Sequence, residues 1–158
     1  ARQTLTEARQ IFEDYSGRDS RYIMSIAACY NYIGDACRAT GDYQSALSYY
    51  KIAIEKGTGK VVTNGLGQFY SNAGQIYYLL GKIKLAQEYL EQAVACFERH
   101  GYYWGLERAE AYMALVLLEK GETEQAKKHY KKGVQLSEKM NNPTTVKVLK
   151  EIKNKAGF

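Results

Sequence analysis

The chain has 158 residues, 46% of them hydrophobic and 25% charged, with 22 Lys and Arg against 17 Asp and Glu for a net charge of +5. That is one domain's length with an ordinary globular composition, and no apolar run is long enough to cross a bilayer. Three cysteines without paired spacing argue against a disulfide framework, and two histidines lack companion ligands for a metal.

Residues 2–16 form the first predicted helix, with Leu5, Ala8, Phe12 and Tyr15 on one stripe. Tyr43, Ala46, Tyr50 and Ala53 repeat that stripe at equal spacing. The segment therefore reads as the second helix of a hairpin whose first helix lies upstream. With no initiator methionine and no signal peptide, the chain is expected to be an excerpt beginning mid-repeat.

Residues 20–58 hold a complete hairpin. Ile23, Ile26, Ala27, Tyr30, Ile33 and Cys37 recur at helical spacing; Gly41 ends that helix and Asp42 caps the next. The second helix carries Tyr43, Ala46, Leu47, Tyr50, Ala53 and Ile54 on its stripe. Gly34 and Ala46 leave room for the two helices to approach closely. The Gly57-Thr58-Gly59-Lys60 segment fails as a phosphate loop, because the motif's first glycine falls on Ile54 and Val61 follows the lysine. A helix terminator and turn explains its glycines instead.

Residues 60–99 repeat the pattern with Tyr70, Ala73, Gly74, Tyr77, Gly81, Ala86, Leu90 and Ala93, and residues 102–140 with Met113, Ala114, Leu117, Gly121, Ala126, Tyr130 and Gly133. The third copy is the most diverged, with Glu110 where the others have Tyr30 and Tyr70. Asn142-Pro143 is a strong helix start, and residues 143–156 are amphipathic through Val146, Leu149 and Ile152, as a terminal cap should be.

Gly41, Gly81 and Gly121 stand 40 residues apart, and the small and aromatic residues around them recur in the same frame. One helix pair leaves an apolar face that only the next pair covers, so the pattern predicts an all-α solenoid of antiparallel helix pairs, about eight helices in a single domain over 1–158.

The repeats resemble the tetratricopeptide repeat. Tyr30-Asn31-Tyr32-Ile33-Gly34 and Tyr70-Ser71-Asn72-Ala73-Gly74 match its first half; Ala46-Leu47-Ser48-Tyr49-Tyr50 and Ala126-Lys127-Lys128-His129-Tyr130 match its second. The period of 40 exceeds the usual length of about 34, and Thr58, Glu98 and Glu138 replace the closing proline. Such long repeats are similar to those of maltose-regulator-type bacterial activators, peptide-sensing bacterial regulators, kinesin light chains and spindle-orientation scaffolds. The resemblance implies a right-handed superhelix whose first helices line the concave side. It also implies a non-catalytic, cytoplasmic module that binds a peptide or protein segment within a larger regulatory or signalling protein, without a cofactor.

On that face the implied groove residues are Asn31, Asp35, Arg38, Asn64, Gln68, Ser71, Gln75, Tyr78, Trp104, Arg108 and Leu115. The amides can pair with a peptide backbone, Arg38 and Arg108 can grip a carboxylate, and Trp104 can anchor a side chain. The Lys/Asn set with which chaperone-tail binders of the family hold a terminal carboxylate has no lysine here. Leu115 and Leu118 make the third inner face apolar, suited to a hydrophobic side chain or another helix. Two alternatives stand beside this reading: self-association through that patch and the truncated first repeat, or the sensor domain of a bacterial transcription regulator. Residues 119–158 hold 10 Lys and 5 Glu, which leaves either a solvated face or a docking patch; nucleic acid is not expected.

Overall fold

The computed structural model describes residues 2–16, 23–58, 64–140 and 142–158. Eight helices are present among them: α1 (Arg2–Ser16), α2 (Ile23–Ala39), α3 (Tyr43–Gly57), α4 (Asn64–Leu79), α5 (Ile83–Arg99), α6 (Leu106–Glu119), α7 (Thr123–Met140) and α8 (Pro143–Ala156). The turn expected at Gly59-Lys60 lies outside the described residues, as do the side chains of Leu5, Phe12 and Tyr15 on α1.

The closest partners are α2 with α3, α4 with α5, and α6 with α7; each pair then packs on the next through α3–α4 and α5–α6. Thinner seams join the first helices directly, α2 to α4 and α4 to α6. The hairpins close in the same way each time. Gly41, Gly81 and Gly121 take left-handed φ values of 79°, 69° and 78°, with nothing near the space a Cβ would fill. Conformation, not crowding, demands glycine there. The turn at Gly41 satisfies orphan helix carbonyls by donation from Asp42 N to Cys37 O (3.0 Å) and Gly41 N to Arg38 O (3.0 Å), and the other two turns repeat it. Asp42 also accepts from Ser45 N at 3.1 Å as the α3 cap.

Within the hairpins the small residues set the helix separation. A Cβ on Gly34 would stand 2.6 Å from Tyr50 Cε1, and one on Gly74 2.7 Å from Leu90 Cγ. The main core runs from α2 to α7, through Ile33, Tyr50, Ile76, Leu90, Phe97, Leu106 and Leu117. Burying each such side chain stabilises the fold by roughly 1.5–3 kcal/mol relative to its exposure.

Helix α8 takes the place of a further first helix, packing on α6 and α7. Its start has the capping chemistry read from Asn142-Pro143, with Asn142 Oδ1 accepting from Thr144 N at 3.1 Å. Ala111, Ala114 and Leu115 meet Val148, Leu149 and Ile152 in a sealed apolar seam. The apolar face expected to await a ligand or a second copy at Leu115 is therefore covered by the chain itself.

Candidate functional site

The faces of α2, α4 and the start of α6 converge on a groove of about 460 Å³. Helix α2 contributes Ala28, Asn31, Tyr32, Asp35 and Arg38; α4 contributes Gln68 and Asn72; the loop before α6 and its first turn contribute Trp104, Gly105, Glu107 and Arg108.

The floor is a single hydrogen-bonded network centred on Asn72, which is 3% exposed. Its Nδ2 donates to Asn31 Oδ1 at 2.9 Å and to Asp35 Oδ1 at 3.4 Å, while its Oδ1 accepts from Gln68 Nε2 at 2.8 Å and Arg108 Nη2 at 3.2 Å. Asp35 additionally accepts from the Tyr50 hydroxyl at 2.7 Å and pairs with Arg38 at 3.6 Å. Tyr50 is fully buried, and its loss of water together with the Asp35 carboxylate pushes its phenol well above the ordinary range. Arg108 is pulled below its ordinary value by burial and then by the like charge of Arg38. Neither guanidinium is saturated: Nε of Arg38 and Nε of Arg108 are buried without a hydrogen-bond partner.

The rim is aromatic. Tyr32 is 56% exposed and Trp104 57%, both bordering the groove. The loop bearing Trp104 is fixed by Gly105, whose φ is 94° and whose Cβ position is closed by Gln68 Oε1 at 2.9 Å and Phe97 Cζ at 3.0 Å. Glu107, fully buried, accepts from Gly105 N at 2.8 Å and from Asn142 Nδ2 at 3.0 Å, tying this loop to the start of α8.

Of the residues expected on this face, Asn31, Asp35, Arg38, Gln68, Trp104 and Arg108 line the one groove. The side chain of Asn64 lies outside the described residues. The others do not line it. Ser71 and Gln75 are 0% and 4% exposed, bonded to each other at 3.2 Å, on the helix that meets α6 directly. Tyr78 is half-buried with its ring edge-on to Tyr112, centroids 5.9 Å apart, and Leu115 lies under α8. The physical reason is stacking: each first helix hides part of its inner face against the next one. Tyr32, Asn72, Glu107 and Asn142 were not anticipated in the sequence. The Gln68/Asn72 pair, one turn apart on α4, is the signal that could have found the groove's centre.

A second polar cluster lies away from the groove. Glu110, fully buried on α6, meets His129 Nδ1 at 2.5 Å and Lys132 Nζ at 2.7 Å, with Glu98 on the same lysine. Burial opposes its ionisation, yet hydrogen bonds from His129 and Lys132 hold its carboxyl below the ordinary range. The divergent Glu110 thus replaces an aromatic contact with a buried ionic one. Among the described residues no group of three or more His, Cys, Asp or Glu is placed to hold a metal, and no helix is long and apolar enough to cross a membrane.

Residues 67–98 and 109–140 match the family model of the tetratricopeptide repeat. A Type II methyltransferase, M.CeqI of Rhodococcus hoagii, is 31% identical over 105 residues, 66% of this chain, and the match spans only 20% of that protein's length. The apo form of RapI superposes with a TM-score of 0.84 at 17% identity, over 99% of this chain and 42% of that one. The Rap conjugation gene regulator of plasmid pLS20, solved with a Phr peptide, has a TM-score of 0.65 at 14% identity, over 87% of this chain and 38% of that one. At these identities the likeness speaks for the fold, an all-α superhelical solenoid.

Proposed function

This chain is a tetratricopeptide-repeat protein, and we propose that it is a binding module that holds a peptide or protein segment in the groove formed by α2, α4 and α6. The observation that carries this reading is the groove itself: a polar floor with unsatisfied donors at Arg38 and Arg108, bordered by the exposed rings of Tyr32 and Trp104. Exposed aromatics beside buried polar groups are what a peptide anchor needs, since the ring supplies contact area at small entropic cost while the floor fixes direction. The groove runs along α2 from Met24 to Arg38, a rise of roughly 21 Å, which about six extended residues would span. The Rap regulator solved with a Phr peptide supports a peptide as the ligand class.

In this reading the segment binds and does not catalyse, and it serves a larger cytoplasmic regulatory protein. The methyltransferase relative, five times the length of the match, supports a place within a longer chain. The test is selection of a phage-displayed random dodecamer library on the chain. Enriched peptides should lose binding to a Trp104→Ala, Asn31→Ala, Arg38→Ala variant whose thermal midpoint stays within a few degrees of the parent's. Undiminished binding to that variant would sink the groove as the site.

A further inference from the structure

We propose that α7 and α8 form a second docking surface, apart from the groove, that receives an acidic amphipathic helix of a partner protein. A hollow of about 270 Å³ lies between these two helices. Tyr130 and Val134 of α7 and Val146 and Leu149 of α8 make it apolar, with the exposed Lys150, Lys153 and Glu138 around them. The Phe158 ring stands against Tyr130, centroids 5.4 Å apart, and Lys127 Nζ lies over that ring at 5.9 Å.

The repeat frame indicates what shape fits. Arg108 and Tyr112 face α4, through Asn72 and the Tyr78 ring; 40 residues on, Val148 and Ile152 face α6. Helix α8 therefore keeps the register of a first helix. On α6, Glu110 and Met113 turn toward its own second helix. Glu110 binds His129 and Lys132 of α7, and Met113 borders a hollow shared with Gln125 and His129. Their counterparts on α8 are Lys150 and Lys153. Among the described residues α8 packs on α6 and α7 alone, so the place of its own second helix is open. A helix fits there by the same geometry that seats α7 on α6.

The charges are reversed. In the third repeat an acid on the first helix meets bases on the second. At α8 the bases stand on the first helix, so the incoming helix must bring the acids. Lys132 and Lys155 already have carboxylate partners, but Lys127, Lys150 and Lys153 form no ion pair among the described residues. The one acid beside these three lysines is Glu138, which leaves a positive excess. Glu151, the other acid of α8, lies toward Tyr78 and Lys155 instead. A cap built only to face water would need no apolar hollow between its lysines, and a nucleic acid would leave that hollow empty.

The probe is a fluorescein-labelled peptide of about 18 residues, five helical turns, with Leu at every third or fourth position and Glu beside that stripe. One control reorders the same residues to erase the stripe, a second replaces every Glu by Lys, and a third is a labelled DNA duplex. In anisotropy titrations at low salt the Glu helix should bind at least about tenfold more tightly than the reordered or the Lys peptide. Lys150→Glu together with Lys153→Glu turns two attractions into repulsions at exposed positions. That variant should lose about tenfold for the Glu helix and accept the Lys helix in its place. Circular dichroism confirms that it is folded. Trp104 is the only tryptophan, and its emission should stay unchanged because the groove lies elsewhere. Equal affinity for the striped and reordered peptides overturns the helix, and tighter binding of the duplex overturns it in favour of nucleic acid. A Trp104 response that the charge reversal does not alter moves the peptide to the groove and overturns the proposal, as does no binding at all.

Discussion

The same face of the solenoid is open at one end and sealed at the other. Between α2 and the start of α6 it is floored by Asn31, Asp35, Asn72 and Arg108 and rimmed by exposed rings; between α6 and α8 it is filled by Leu115, Val148, Leu149 and Ile152. Both stretches belong to one repeating frame, so the frame alone does not decide which is a binding surface. The decision rests with side-chain chemistry. At the open end the inner positions are polar and bonded through Asn72, and a groove remains; at the other end they are apolar, and the next helix of the chain closes it.

Breaking the sealed end should have the largest effect on the fold. Ile152→Ala removes a fully buried side chain from the α6–α8 seam and should cost about 2–5 kcal/mol in urea unfolding. Gly34→Ala comes next: the new methyl meets the Tyr50 ring at 2.6 Å, and overpacking of this kind costs roughly 1–3 kcal/mol. The third repeat, which already has Ala114 in that slot, sharpens the contrast. Ala114→Gly should lose about 1 kcal/mol, since no clash is relieved and helix propensity falls.

The buried ionic cluster at Glu110 should show in acid. Glu110 is held below its ordinary carboxyl range, so the native state binds fewer protons than the unfolded one as pH falls. Its contribution is complete above the unfolded carboxyl pKa and is lost as pH drops through the folded value. Urea midpoints from pH 3 to 7 should therefore fall toward acid more steeply for the parent than for Glu110→Gln. A variant with the same slope would remove Glu110 from the account. At the open end, Trp104→Ala should change unfolding by no more than about 0.5 kcal/mol, as befits an exposed ring away from the core, while weakening peptide binding severalfold in the same buffer.

The hairpins were legible in the sequence because small residues are unforgiving. Gly34 and Gly74 admit no Cβ without a shift, and Gly41, Gly81 and Gly121 need positive φ, so chemistry at those positions announces geometry. The groove was legible only in part. Asn31 and Ser71 share a slot in the repeat, yet Asn31 reaches the network and Ser71 vanishes between α4 and α6. How far each first helix turns toward the next is a property of the stack, and no single repeat encodes it. Asn72 was passed over for that reason, standing one residue from the slot that spacing selected. Leu115 carried its signal in plain view: an apolar inner face needs a cover, and α8 provides it.

The most direct test is to map amide chemical shifts of the labelled chain while adding a peptide enriched from the random library. The account predicts that perturbations gather at Asn31, Asp35, Gln68, Asn72, Trp104 and Arg108 and leave the lysine-rich surface at Lys128, Lys131 and Lys150 unmoved. Perturbations confined to that lysine surface, with the groove residues silent, would contradict it.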